Sequence, residues 1–129
     1  FLPLVVYMAD AVGTQTETVL VRRLAYGEVS VWEQLVRESV IGASIGVIVA
    51  SVASGGLWLW NGHPALAVVV GASLGVTAVV ATIMASLLPM GLARLGADPA
   101  LASGPVATVV QDILSVGIYL MIATALLPR

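Results

Sequence analysis

The sequence contains no cysteine and very little charge. Without cysteine there is neither a disulfide framework nor a thiolate metal site. Charged residues make up 9% of the chain, hydrophobic residues 60%, and the mean hydropathy is +1.08. A soluble domain carries roughly 25% charge, so that class is excluded. From Ser39 to Ala93 there is no Asp, Glu, Lys or Arg at all. The formal net charge of −2 says little about partners, and nothing in the sequence suggests nucleic acid binding. The one histidine, His63, stands in a turn with no nucleophile–base pair or metal-ligand spacing around it, which argues against an enzyme.

What remains is apolar and long. At about 20 residues per crossing, the charge-free run is too long for one span and must hold two. The string Asn61-Gly62-His63-Pro64 is turn-forming and divides it, with Trp58 and Trp60 beside it at the membrane interface. Three complete spans are expected, over residues 39–60, 65–88 and 106–127. Residues 1–8 are apolar but too short to cross about 30 Å, and they lack the basic leading region of a signal peptide. They read as a truncated span, with the chain beginning inside a helix. The expected fold is all-α: one transmembrane domain over 1–129, a polytopic membrane helix bundle with an additional interfacial helix.

That interfacial helix is expected over 18–38. There Val19, Leu20, Leu24, Val31, Leu35 and Val36 alternate with Arg22, Arg23, Glu33, Arg37 and Glu38, with a break at Tyr26-Gly27. Ser30 and Glu33 have the spacing of a capping box. An elbow joining two spans is the simpler role, although Glu17, Glu28, Glu33 and Glu38 are also placed to collect cations near a pore mouth. Arginine sets the orientation. Arg22, Arg23, Arg37 and Arg94 put 16–38 and 89–105 on the cytoplasmic side of a cell membrane, with the Asn61–Pro64 turn and the C-terminus outside and Arg129 the exception. Gly42 with Gly46, and Gly71 with Gly75, give two G-x-x-x-G patterns that permit close helix packing within or between subunits.

Asp112 is a lone carboxylate inside the third span. A charge at that depth costs about 2.5–3.5 kcal/mol on insertion scales and usually marks an ion or proton path. Thr108 and Ser115 share its helix face at spacings of four and three. Upstream, Asp98-Pro99 reads as a helix cap, and Ser103-Gly104-Pro105 breaks the short helix that follows. Broken helices at membrane depth free carbonyls, which are tolerated where they are buried or line a cavity. Asp10 is a second acid, preceding the small polar cluster Gly13, Thr14, Gln15 and Thr16. Two carboxylates on different helices with hydroxyls nearby suit a hard cation, and Asp10 also suits a polar tie between helices.

At these residues the chain resembles the MgtE family of magnesium channels and transporters. The string Asp98-Pro99-Ala100-Leu101-Ala102-Ser103-Gly104-Pro105, with Thr108 and Asp112 following, is similar to the family's last-helix region. Gly13-Thr14-Gln15-Thr16, running on to Val19-Leu20-Val21-Arg22-Arg23-Leu24-Ala25, is similar to its second transmembrane helix and cytoplasmic exit. The resemblance implies a homodimer of five-helix subunits with a magnesium pore on the two-fold axis, lined by the second and fifth helices. It makes Asp112 the central pore acid and places Asp98 near the cytoplasmic mouth. The family's first helix, N-terminal domain and CBS modules have no counterpart in these residues. Where many members have Gly-Gly-Asn the chain has Ala9-Asp10-Ala11, and where many have Ser-Asn-Pro it has Ser103-Gly104-Pro105. Asp10 is therefore a reading of the residues and not a family position, and the departures also point towards the eukaryotic solute-carrier magnesium transporters.

The expected metal residues are thus Asp112, Asp10, Asp98 and Thr108, and the expected cargo is hydrated Mg²⁺ or another divalent cation. Membrane lipid and a second copy are the expected partners, with no nucleic acid. A secondary transporter coupled to H⁺ or Na⁺, and an assembly subunit whose acids only tie helices, are the other two classes open at this stage.

Overall fold

The computed structural model describes residues 1–127 apart from Glu28 and Ser103, and leaves aside the side chain of Asn61. Expectations for Glu28, Ser103 and Arg129 lie outside the described residues. The described residues form four α-helices, α1 (Leu2–Tyr26), α2 (Val31–Asn61), α3 (Pro64–Arg94) and α4 (Pro105–Leu126), with one turn of 3-10 helix over Pro99–Ala102 before α4. No strand occurs among the described residues. α2, α3 and α4 are each long and apolar enough to cross a membrane, as the charge-free runs required.

Local chemistry sets the helix ends. α1, α3 and α4 each have proline in their first two positions, where a missing N–H costs nothing. α2 stops at Gly62, whose left-handed φ of 64° lets its N–H reach the Trp58 carbonyl at 2.9 Å. Trp58 and Trp60 at this end are exposed, as are Tyr26 and Trp32 near the opposite end of α2. Such a pair of aromatic belts suits the two faces of a bilayer.

α3 is the central helix, packed against α1, α2 and α4 and buried along more of its length than either other span. Its buried face runs through Val70, Ser73, Leu74, Thr77, Ala81 and Ala85. The two glycine patterns face each other inside the subunit. A β-carbon on Gly46 would stand 2.9 Å from the carbonyl oxygen of Gly75, and one on Gly71 would stand 3.0 Å from the β-carbon of Ser54. α2 and α3 therefore approach almost backbone to backbone. The opposite side of α2, including Val40, Val47, Ile48 and Val52, is exposed and apolar, as a lipid-facing surface is.

The expected separate interfacial helix over 18–38 is not formed. Its first part is the end of α1, its second part is the start of α2, and the break falls at Gly27 as read. Ser30 is the N-cap of α2, but its side chain makes no cap bond, so no capping box closes. The alternation of polar and apolar residues has another cause: the two helix ends share a polar knot. Arg23 donates to Gln34 Oε1 at 2.7 Å, and Arg37 donates to the same oxygen at 3.1 Å. Glu38, only 4% exposed, accepts from Arg37 at 2.9 Å, Gln34 at 3.1 Å and Thr16 of α1 at 3.0 Å. Thr82 of α3 donates to the backbone carbonyl of Glu38 at 3.0 Å, which fastens the knot to the central helix.

Candidate cation site

Two of the four expected ion residues meet between α1 and α4. Asp10 and Thr108 come together there: the threonine hydroxyl donates to Asp10 Oδ1 across a long 3.5 Å contact, and both side chains are half-buried. One turn further along α4, Asp112 is also half-buried and has no hydrogen-bond or ion-pair partner among the described residues. It is not spent on tying α4 to a neighbouring helix within the subunit.

Two other expected positions are used differently. Asp98 is exposed, and its Oδ1 accepts from the Ala100 N–H at 2.9 Å, so it caps the 3-10 turn and stands apart from the Asp10–Thr108 contact. Ser115 is buried, and its hydroxyl donates to the Gln111 carbonyl at 2.7 Å, so it is committed to its own helix. Gly104, with φ of 98°, supplies the sharp break that starts α4 at Pro105.

Three polar residues matter more than the sequence indicated. Glu17 is 3% exposed and Gln111 2% exposed, and one side-chain oxygen of each is buried without a partner among the described residues. Thr77 of α3 is in the same position. The Gln111 amide lies against Gly13, in the space a β-carbon would occupy. Glu17 was expected among the cation-collecting acids of a pore mouth, yet it lies inside the helix packing, as does Glu38; Glu33 alone of the described set is exposed. The spacing of Ala9, Val12, Gly13, Thr16, Glu17 and Leu20 on one face of α1 is the signal that gives their burial away. Among the described residues, no three His, Asp or Glu side chains cluster closely enough to chelate an ion. The donors are spread along α1 and α4.

The chain matches the family model for MgtE, described as a divalent cation transporter, over residues 2–122. It belongs to the MgtE family. It is 36% identical over 132 residues to the magnesium transporter MgtE of Bacillus subtilis, covering 97% of this chain and 28% of that protein. The magnesium transporter MgtE of Thermus thermophilus is 32% identical over 130 residues, covering 98% of this chain and 29% of its own length. That of Enterococcus faecalis is 34% identical over 132 residues, with 96% and 28% covered. The chain thus spans less than a third of the length of each of these MgtE relatives. With its three apolar spans it is a multi-pass membrane protein of a transporter family, and the MgtE relatives are named as transporters and not as enzymes.

Proposed function

We propose that this chain forms one wall of a membrane pathway for hydrated Mg²⁺, with α1 and α4 lining it and Asp112 as its central acid. The observation that carries the reading is Asp112 itself, a half-buried carboxylate on an apolar helix with no partner among the described residues. A charge so placed is expensive in lipid and is kept where it meets an ion. Membership of the MgtE family and the names of three relatives support magnesium as the ion.

The chemistry of the ion fits the spread of donors. Mg²⁺ holds its waters at about 2.0–2.1 Å and sheds them reluctantly. A seam with separated carboxylates, a hydroxyl and an amide contacts the water shell and leaves the metal hydrated. In a homodimer the Asp112 carboxylates of two copies face each other across the two-fold axis and repel unless a cation stands between them, which favours divalent over monovalent ions. Asp10 and Thr108 flank that position, and Asp98 sits at the cytoplasmic mouth. The end of α1 that carries Arg22 and Arg23 and the start of α2 that carries Arg37 face the cytoplasm, and the end of α4 faces outward.

The absence of cysteine gives a direct test. A single Thr108→Cys change, in full-length protein carrying no other thiol, should react with a charged, membrane-impermeant thiol reagent, and Mg²⁺ should slow the reaction. Ile48→Cys, on the exposed apolar side of α2, should not react. Equal reactivity at the two positions with no Mg²⁺ protection would remove α4 from the pathway.

A further inference from the structure

Among the described residues, α1 and α2 both pack along α3 but make little direct contact with each other. The gap between them is a groove of about 440 Å³, within the usual range of ligand sites. The Arg23–Gln34 and Thr16–Glu38 bonds set the register of the two antiparallel helices. In that register Gln15 and Thr16 of α1 lie level with Arg37 and Glu38 of α2, and together they form the polar part of the groove. Further along, Ala11 and Val12 of α1 and Ile41 and Ile45 of α2 make it apolar. From Arg37 to Ile45 the groove follows α2 for eight residues, about 12 Å. It therefore leads from a charged end into the hydrocarbon layer.

The charge that this end presents outward is positive. Glu38 is buried, and Thr16, Gln34 and Arg37 all donate to it. The Arg37 side chain is 43% exposed, and only its Nη2 is engaged; its Nε and Nη1 donate to nothing among the described residues. A guanidinium with free N–H groups matches the oxygens of a phosphate. Arg22, also exposed, lines a shallower depression that shares Ala11, Gln15 and Val19 with the groove. Asp10 lines that depression too, but twelve residues and about 18 Å further along α1. The exposed Tyr26 and Trp32 mark the membrane interface at this end, and Arg37 follows Trp32 by five residues, about 7.5 Å along α2. That puts the guanidinium within reach of the lipid headgroups.

We propose that the groove between α1 and α2 holds one anionic phospholipid, its phosphate on Arg37 and an acyl chain along Ala11, Val12, Ile41 and Ile45. Charge complementarity selects this occupant. Basic pockets between transmembrane helices are sites for anionic headgroups. An apolar helix laid in the groove would cover the free N–H groups of Arg37 and give them no acceptor, at a cost. A free phosphate would leave the apolar walls bare. Because Arg37 belongs to both the groove and the polar knot, the bound lipid steadies the joint between α1 and α2. The site is independent of the ion that the protein moves.

The test is native mass spectrometry of the full-length protein in detergent, titrated with phosphatidylglycerol or with phosphatidylcholine. The wild type should bind the anionic lipid roughly fivefold more tightly, the preference that one basic residue confers. Arg37→Gln should erase that preference, and Arg94→Gln, a charge removed outside the groove, should keep it. Ile41→Trp fills the apolar part without touching the knot and should weaken phosphatidylglycerol binding about fivefold or more, while Ile48→Trp, on the exposed side of α2, should not. Inorganic phosphate should fail to displace the lipid. Equal affinities in Ile41→Trp and Ile48→Trp would overturn the site, as would displacement by inorganic phosphate. A wild type with no headgroup preference would also overturn it and would point to a protein segment or a second copy in the groove. Should Arg37→Gln loosen the knot and fail to fold, the comparison of the two tryptophan variants decides.

Discussion

The amide of Gln111 on α4 lies against the bare backbone of Gly13 on α1, filling the space where any other residue would carry its β-carbon. Gly13→Ala should therefore force a side chain that is 2% exposed out of its place. The expected cost is about 1–3 kcal/mol, the usual range for overpacking. Gly13→Ala combined with Gln111→Ala should recover much of it, since the two positions compete for one volume. Thermal unfolding of the detergent-solubilised single and double variants checks this, and additive losses would show that the two residues do not meet.

At Gly46 the obstacle is backbone, not a side chain that can turn away. A methyl there would sit 2.9 Å from the Gly75 carbonyl oxygen and 3.2 Å from its Cα, so α2 and α3 must separate to admit it. Gly46→Ala should lower the thermal midpoint clearly, by the equivalent of about 1–3 kcal/mol. Gly56→Ala, where a β-carbon meets nothing within 4 Å, should leave the midpoint unchanged or raise it slightly. A reversed order would mean that the two glycine patterns do not pack on each other.

Glu38 joins three helices. Glu38→Ala removes the acceptor for Arg37, Gln34 and Thr16 at once and leaves the last two buried. The expected loss is on the order of 1–3 kcal/mol, discounted at the Arg37 contact because that side chain is 43% exposed. The loop between α1 and α2 should become susceptible to proteolysis first. Cleavage appearing first between α2 and α3 would contradict the role of the knot.

At Asp98 the observed cap and the proposed pull on cations can be separated. Asp98→Asn keeps an oxygen to accept the Ala100 N–H and so should leave stability within about 0.5 kcal/mol of wild type, whereas Asp98→Ala should cost about 1 kcal/mol as a lost cap. If the acid also draws cations to the pore mouth, Asp98→Asn should lower Mg²⁺ uptake at low ionic strength, and the difference should fade as salt screens it. Equal uptake at all salt concentrations would reduce Asp98 to a cap.

The spans were legible because the absence of charge from Ser39 to Ala93 admits no other reading, and Asn61-Gly62-His63-Pro64 marked the only place to turn. Asp10 and Thr108 could be suspected as partners only by placing them on different helices with matching chemistry, and the structure brings them to 3.5 Å. The separate interfacial helix was misread because Arg23, Gln34 and Glu38 are polar for each other across two helix ends, a pairing that one-dimensional periodicity renders as amphipathicity. Glu17 shares the buried face of α1 with Ala9, Val12, Gly13, Thr16 and Leu20, a spacing visible in the sequence, but a glutamate beside Thr16 and Thr18 has the chemistry of a solvated residue.

The most direct measurement of the central claim is Mg²⁺ uptake into liposomes by the full-length protein under a negative-inside potential, with no pH or Na⁺ gradient, comparing wild type with Asp112→Ala. The expected result is voltage-driven uptake in the wild type that is lost in the variant while the variant remains folded. Undiminished, divalent-selective uptake by folded Asp112→Ala would contradict a pathway centred on this residue, and uptake that appears only when an H⁺ or Na⁺ gradient is supplied would contradict passive conduction.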